Sequence, residues 1–77
     1  MKPRYKYTVW ADSESTISIT PKHFNNVDAA DSFASHFVHR YDGENAERVI
    51  LHIEDNELDE TIDTVENINK YDSYLFE

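Results

Sequence analysis

The chain has 77 residues, sixteen acids against seven bases for a net charge of −9, ten aromatic side chains and no cysteine. That length predicts a single domain over residues 1–77, with a thin stability margin because such a chain buries only about 60–65% of its unfolded surface. Disulfide stapling is excluded, and the acid excess argues against nucleic acid or an anionic membrane as a direct ligand, since both are bound mainly through Lys and Arg.

Arg4 to Trp10 reads as a strand, with Tyr5, Tyr7 and Val9 alternating with Lys6, Thr8 and Trp10, all suited to a pleated surface. Ala11-Asp12-Ser13-Glu14 is a polar turn, and Ser15 to Thr20 alternates again with Ile17 and Ile19 on one face. Together they predict an antiparallel hairpin whose second strand Pro21 ends, because proline has no N–H to give a ladder.

Ala30, Phe33, Ala34, Phe37, Val38 and Tyr41 then fall on one helical stripe, which predicts a helix over residues 27–41. Asn26 is placed to cap it, Asp28 and Asp31 complement the positive end of its dipole, Arg40 lies in the last turn, and Gly43 follows as a C-terminal cap. Glu47 to Glu54 reads as a strand, with Val49, Leu51 and Ile53 on one face and Arg48, Ile50 and His52 on the other.

Two readings of the next segment stay open. Leu58, Ile62, Val65 and Ile68 are spaced by four, three and three, as an amphipathic helix requires, while the β-branched Thr61, Ile62, Thr64 and Val65 favour a strand. Tyr71 to Phe76 reads as a last short strand. The expected fold is α+β: a small antiparallel sheet in β-β-α-β order, one long helix packed on it, and an acidic C-terminal helix or strand.

The charge is unevenly placed. Residues 1–41 carry a net +1 and residues 42–77 a net −10. Glu54, Asp55, Glu57, Asp59, Glu60, Asp63 and Glu66 crowd into thirteen residues. As a helix this run would span about 20 Å, one charge per roughly 3 Å, near the ~3.4 Å repeat of a single DNA strand. Asp55, Asp59, Asp63 and Glu66 would line one face of such a helix. As one extended strand it would reach about 43 Å at half the charge density. Such a run also serves simply as a solvated face.

No motif points to chemistry. His36 and His39 are three apart on the helix and His52 is on a strand, but no His-Glu-x-x-His or comparable zinc pattern accompanies them. Asp55-Asn56-Glu57-Leu58-Asp59 lacks the glycine and terminal glutamate of a calcium loop. No Gly-x-Ser-x-Gly elbow holds a serine, and Gly43 stands alone where a phosphate cradle needs several glycines. The expectation is a protein that is not an enzyme and uses no metal or cofactor. Arg4, Tyr5, Lys6, Tyr7 and Trp10 superficially resemble a base-stacking strand. A strand with one face in the core fits the net charge better. Trp10, on the face of Lys6 and Thr8, is a candidate interface anchor.

No cationic segment followed by an apolar run opens the chain, and no stretch approaches membrane-spanning length, so a cytoplasmic location is expected. The helix Val27-Asp28-Ala29-Ala30-Asp31-Ser32-Phe33-Ala34, set between a hairpin and the strand Arg48-Val49-Ile50-Leu51-His52-Ile53, gives a layout that resembles small phage-encoded host-takeover and anti-defence proteins. These include anti-CRISPR proteins, DNA mimics and inhibitors of RNA polymerase. The resemblance is one of size, charge and layout, and it implies stoichiometric binding to a nucleic-acid-handling host protein. The expected partner is therefore a basic protein, met by Glu54, Asp55, Glu57, Asp59, Glu60, Asp63 and Glu66 with Tyr71 and Tyr74 beside them. The alternative is a small assembly module that self-associates, as a homodimer, through a sheet edge or an aromatic face.

Overall fold

The computed structural model describes residues 5–43 and 47–68. In chain order it contains β1 (Tyr7–Ala11), β2 (Lys22–Phe24), α1 (Val27–His39), β3 (Ile50–Asp55) and β4 (Glu60–Glu66). The four strands form one antiparallel-paired sheet in the order β2-β1-β3-β4. The fold is α+β, with α1 against one face of the sheet.

β1 pairs antiparallel with both of its neighbours, so β2 and β3 run parallel to each other on either side of it. A connection between parallel strands must cross over the sheet, and α1 is that crossover. Alternation along β1 and β3 sends Val9, Leu51 and Ile53 to the helix side, where they are fully buried with Val49 against Ala30, Ala34 and Val38. Two alanines on the helix face let its backbone approach the sheet closely. Phe24, Phe33, Phe37 and Tyr41 extend the core as a ladder of tilted rings 5.6, 6.0 and 5.7 Å apart, a spacing at which aromatic pairs attract beyond their buried area.

The helix begins as expected. The Asn26 side chain accepts from the N–H groups of Asp28 at 2.7 Å and Ala29 at 3.3 Å, satisfying two donors that the first turn leaves without partners. It ends two residues before the expected 41, with Arg40 as the cap residue. Tyr41 and Asp42 continue in tighter bonds to Val38 and His39 at 3.0 and 3.3 Å. Gly43, at φ +83°, turns the chain further on than a helix cap would. Its N–H reaches the Ile68 carbonyl at 2.7 Å.

The expected hairpin is corrected in one respect. β1 does pair antiparallel with the next strand, but that strand is Lys22–Phe24, after Pro21, and not Ser15–Thr20. The chain from Asp12 to Thr16 stays beside the start of β3: Asp12 N–H bonds Ile50 O at 2.9 Å and Thr16 N–H bonds Arg48 O at 2.7 Å. Ile17 and Ile19 are then free to lean on the core as loop residues. Their alternation records burial of every second side chain, which a loop crossing the end of a core also produces.

The segment left open between helix and strand is a strand. Residues 54–66 neither form a 20 Å rod nor extend as one 43 Å strand, since the chain reverses at residues 56–59 and returns along β3 as β4. Asp55 builds the reversal, its Oδ1 accepting from Glu57 N–H at 2.9 Å and Leu58 N–H at 3.1 Å. Asp59 takes the left-handed conformation at φ +53°, which Asp and Asn tolerate better than other side chains. The expected strand at Tyr71 to Phe76 lies outside the described residues.

Candidate functional site

The β3–β4 hairpin collects all seven acids singled out in the sequence, but not in the expected arrangement. The register Tyr7↔Asp55, Val9↔Ile53 and Ile53↔Asp63 places Asp55, Glu60 and Asp63 on the helix side of the sheet. Glu54, opposite Thr8, and Glu66, opposite Ile50, lie on the open side. Glu57 and Asp59 occupy the turn. The helical face of Asp55, Asp59, Asp63 and Glu66 is therefore not formed, because side chains alternate between faces in a strand. A shift of register between Ile53 and Glu54, with Ile62 as the extra residue, restores Glu60 and Asp63 to a common face.

These acids are not equivalent. Asp55 is committed to the turn, as described above. Glu66 accepts from Arg48 Nε at 2.9 Å, and Arg48 is the one Lys or Arg between residues 47 and 68. Asp63 Oδ1 accepts from Thr64 N–H at 2.9 Å. The resulting field is a shell of negative charge around the tip and outer strand of the hairpin. Along β4 the acids Glu60, Asp63 and Glu66 come at every third residue, about 10 Å apart, so no line of charge matches a phosphate repeat. Tyr71 and Tyr74, expected beside the acids, lie outside the described residues.

Asn67 anchors the base of this hairpin, and no sequence pattern marks it. It is buried and makes four hydrogen bonds: its N–H to Val49 O at 3.1 Å, its Oδ1 from Val49 N–H at 2.9 Å, and its Nδ2 to Tyr41 O and Glu47 O at 3.0 and 3.1 Å. Asn56 does similar work at the other end, donating to Tyr5 O and Thr8 Oγ1 at 2.9 Å each. Near the base, Asp42 Oδ1 accepts from Ile68 N–H at 2.9 Å and its carboxyl also pairs with His39. The Ile68 backbone N–H, with the His39 contact second, holds this carboxyl below its usual pKa of 3.8 against the opposing effect of burial.

The open face of the sheet carries a polar-aromatic layer. Tyr5 stacks on His23 at 5.5 Å and Trp10 leans on His52 at 4.6 Å. His52 Nδ1 meets Thr64 Oγ1 at 2.9 Å and its Nε2 faces Asp12 at 3.4 Å. The Trp10 Nε1 is enclosed and makes no hydrogen bond. Trp10 is thus half-covered by its own sheet rather than presented as a free anchor.

The histidines do not converge. His36 contacts Ser32, His39 contacts Asp42, His52 contacts Thr64, and His23 contacts Thr8. Among the described residues no group of three His, Asp or Glu side chains is arranged to hold a metal ion. A groove of about 370 Å³ runs along α1 over Ile19, Phe33 and Phe37, rimmed by Lys22, His36 and Arg40. Another of about 150 Å³ lies between α1 and the end of β4. The second is well below the several hundred Å³ of an ordinary ligand site. No described helix is long and apolar enough to cross a membrane. No protein family, no curated protein and no solved structure matches the chain.

Proposed function

We propose that this chain is a non-enzymatic, acidic protein-binding module whose β3–β4 hairpin occupies a basic surface of a nucleic-acid-handling protein and so inhibits or modulates it. The observation that carries this reading is the gathering of seven acids on one hairpin beside a single Arg. That hairpin is pinned at its tip by Asp55, at its base by Asn67 and along its length by the ladder to β3. A charged surface held on paired strands loses little conformational freedom on binding, which favours a stable complex. Its field attracts a basic groove and repels nucleic acid, so it competes with the groove's own ligand. The likeness to phage anti-defence proteins in size, acidity and layout suggests the same stoichiometric mode of action. The imitation of nucleic acid would be of its field and not of its phosphate spacing.

The test is capture from lysate by the tagged protein and by its D59N/E60Q/D63N variant, at low and high salt, with duplex DNA as competitor. Asn tolerates the left-handed backbone of position 59, so the variant retains the turn. Nucleic-acid-binding proteins should be retained by the wild type, displaced by salt and by DNA, and held at least about tenfold more weakly by the variant. Retention that ignores both the substitutions and the competitor overturns the reading.

A further inference from the structure

The proposed function leaves open how a basic partner is held once the field has drawn it in. β4 pairs with β3 on one side and, among the described residues, with no strand on the other. The ladder alternates: Asn67 N–H turns inward to Val49 O at 3.1 Å, so the N–H and C=O groups of Thr64 and Glu66 point away from β3. Ile68 belongs to the same outward set, and both of its groups are taken, the N–H by Asp42 at 2.9 Å and the C=O by Gly43 at 2.7 Å. The edge is closed at Ile68, and among the described residues no strand pairs with the outer edge of residues 60–66. That is about 23 Å of strand, with every residue exposed except the half-buried Val65.

Thr64 shows what this edge lacks. Its outward N–H is met by the carboxylate of the adjacent Asp63 at 2.9 Å, a local stand-in for a neighbouring strand. An incoming chain that brings a carbonyl to this N–H and an ammonium or guanidinium to this carboxylate replaces one contact with two. We infer that the free edge of β4 is a strand-addition site for an extended, Lys- or Arg-rich segment of a partner protein. This rests on the proposed function and specifies its geometry: main-chain bonds supply the affinity, and Glu60, Asp63 and Glu66 select for basic side chains.

Two other occupants fit less well. A second copy paired antiparallel about Asp63 sets Asp63 against Asp63 and Glu60 against Glu66, and like charges directly opposed across a ladder repel. Residues 69–77 bring two acids and one base, a poor match for an acidic edge.

The experiment titrates the full chain at low salt with a fluorescent nonapeptide of alternating Lys and Val. A second peptide carries the same side chains with backbone N-methyl groups on the edge that would face β4. The unmethylated peptide should bind, the methylated one about tenfold or more weaker, as expected for the loss of interchain backbone bonds. T64P, which removes the outward N–H, should weaken the unmethylated peptide about tenfold, while T64V, which removes only the hydroxyl, should change it less than about twofold. Equal binding of the two peptides overturns strand addition and leaves the charge-based function standing. Binding of neither removes both. Amide exchange at Thr64 and Glu66 should be fast in the free protein and slow in the complex; slow exchange in the free protein means that the edge is already covered, and overturns the inference.

Discussion

The helix with β1 and β2, and the β3–β4 hairpin beyond them, share one sheet but are held by different forces. The first region is nearly neutral and is organised by apolar contact: Val9 on β1 and Ala30, Ala34 and Val38 on α1 are buried, and an aromatic ladder seals one end. In the second, β3 contributes Leu51 and Ile53 to that core, whereas β4 contributes only the half-buried Val65. β4 stays in place through its backbone ladder, the Asp55 turn and the Asn67 clamp. The Arg48–Glu66 pair adds little, since both side chains are about half exposed to water. A strand that owes so little to burial is free to carry charge. This is how a small fold displays a strongly acidic surface without disrupting its core.

Leu51→Ala tests the apolar region most severely. Leu51 is the largest of the fully buried side chains and lies where β1, β3 and α1 meet, so truncation should cost about 2–5 kcal/mol by chemical denaturation. In a domain of this size that unfolds much of the population. A loss below about 1 kcal/mol would mean that the core closes around the gap, and the contrast between the regions would weaken.

Asn67→Ala probes the base of the hairpin and its tie to the turn after α1. It leaves the buried N–H of Val49 without its side-chain acceptor and frees two carbonyls, for an expected loss of about 1–3 kcal/mol. Amide exchange should rise in β4 and at the base of β3 before it rises in α1. Uniform acceleration across the chain would show that the two regions open as one unit.

The smallest effect expected is at Asp42, which ties the end of α1 to Ile68. Its folded pKa lies below the usual 3.8, so its contribution is complete above that value and is lost as pH falls through the lowered folded pKa. The difference in Tm between wild type and D42N should be greatest above about pH 5 and close in acid. A difference that widens on acidification would reverse the assignment.

The helix was legible because its signals agree: Asn26 caps it, Ala30, Ala34 and Val38 fall on one stripe, and all three are buried. The strand expected over Glu47 to Glu54 was legible for the same reason, with Val49, Leu51 and Ile53 all in the core, although β3 itself runs from Ile50 to Asp55 and Val49 lies just before it. At β4 the signals conflict. Leu58, Ile62, Val65 and Ile68 imitate a helical stripe, yet Leu58 and Ile68 are more than 60% exposed and Ile62 is 42% exposed, so no helical stripe is buried. The seven acids were expected on a single helix or strand; they fall instead on β3, the turn and β4, and their division between two faces depends on a register that periodicity does not encode. Asn67, Asn56 and the outward N–H of Thr64 carried no signal at all, since each acquires its role from a partner distant in the chain or from a strand edge that no described strand covers.

By itself the sequence determined where the apolar mass and the acid lie along the chain, the helix with its N-terminal cap, and the class of fold. Those properties are local: each follows from residues within a few turns or strand positions of one another. Tertiary structure alone decided that Pro21 precedes a strand instead of ending one, that residues 54–66 double back, and that β4 is, among the described residues, an edge strand bonded to β3. Each of those outcomes depends on backbone hydrogen bonds whose partners come from elsewhere in the chain. β3 had N–H and C=O groups to satisfy, and the β-branched, acidic segment after it satisfied them as a strand.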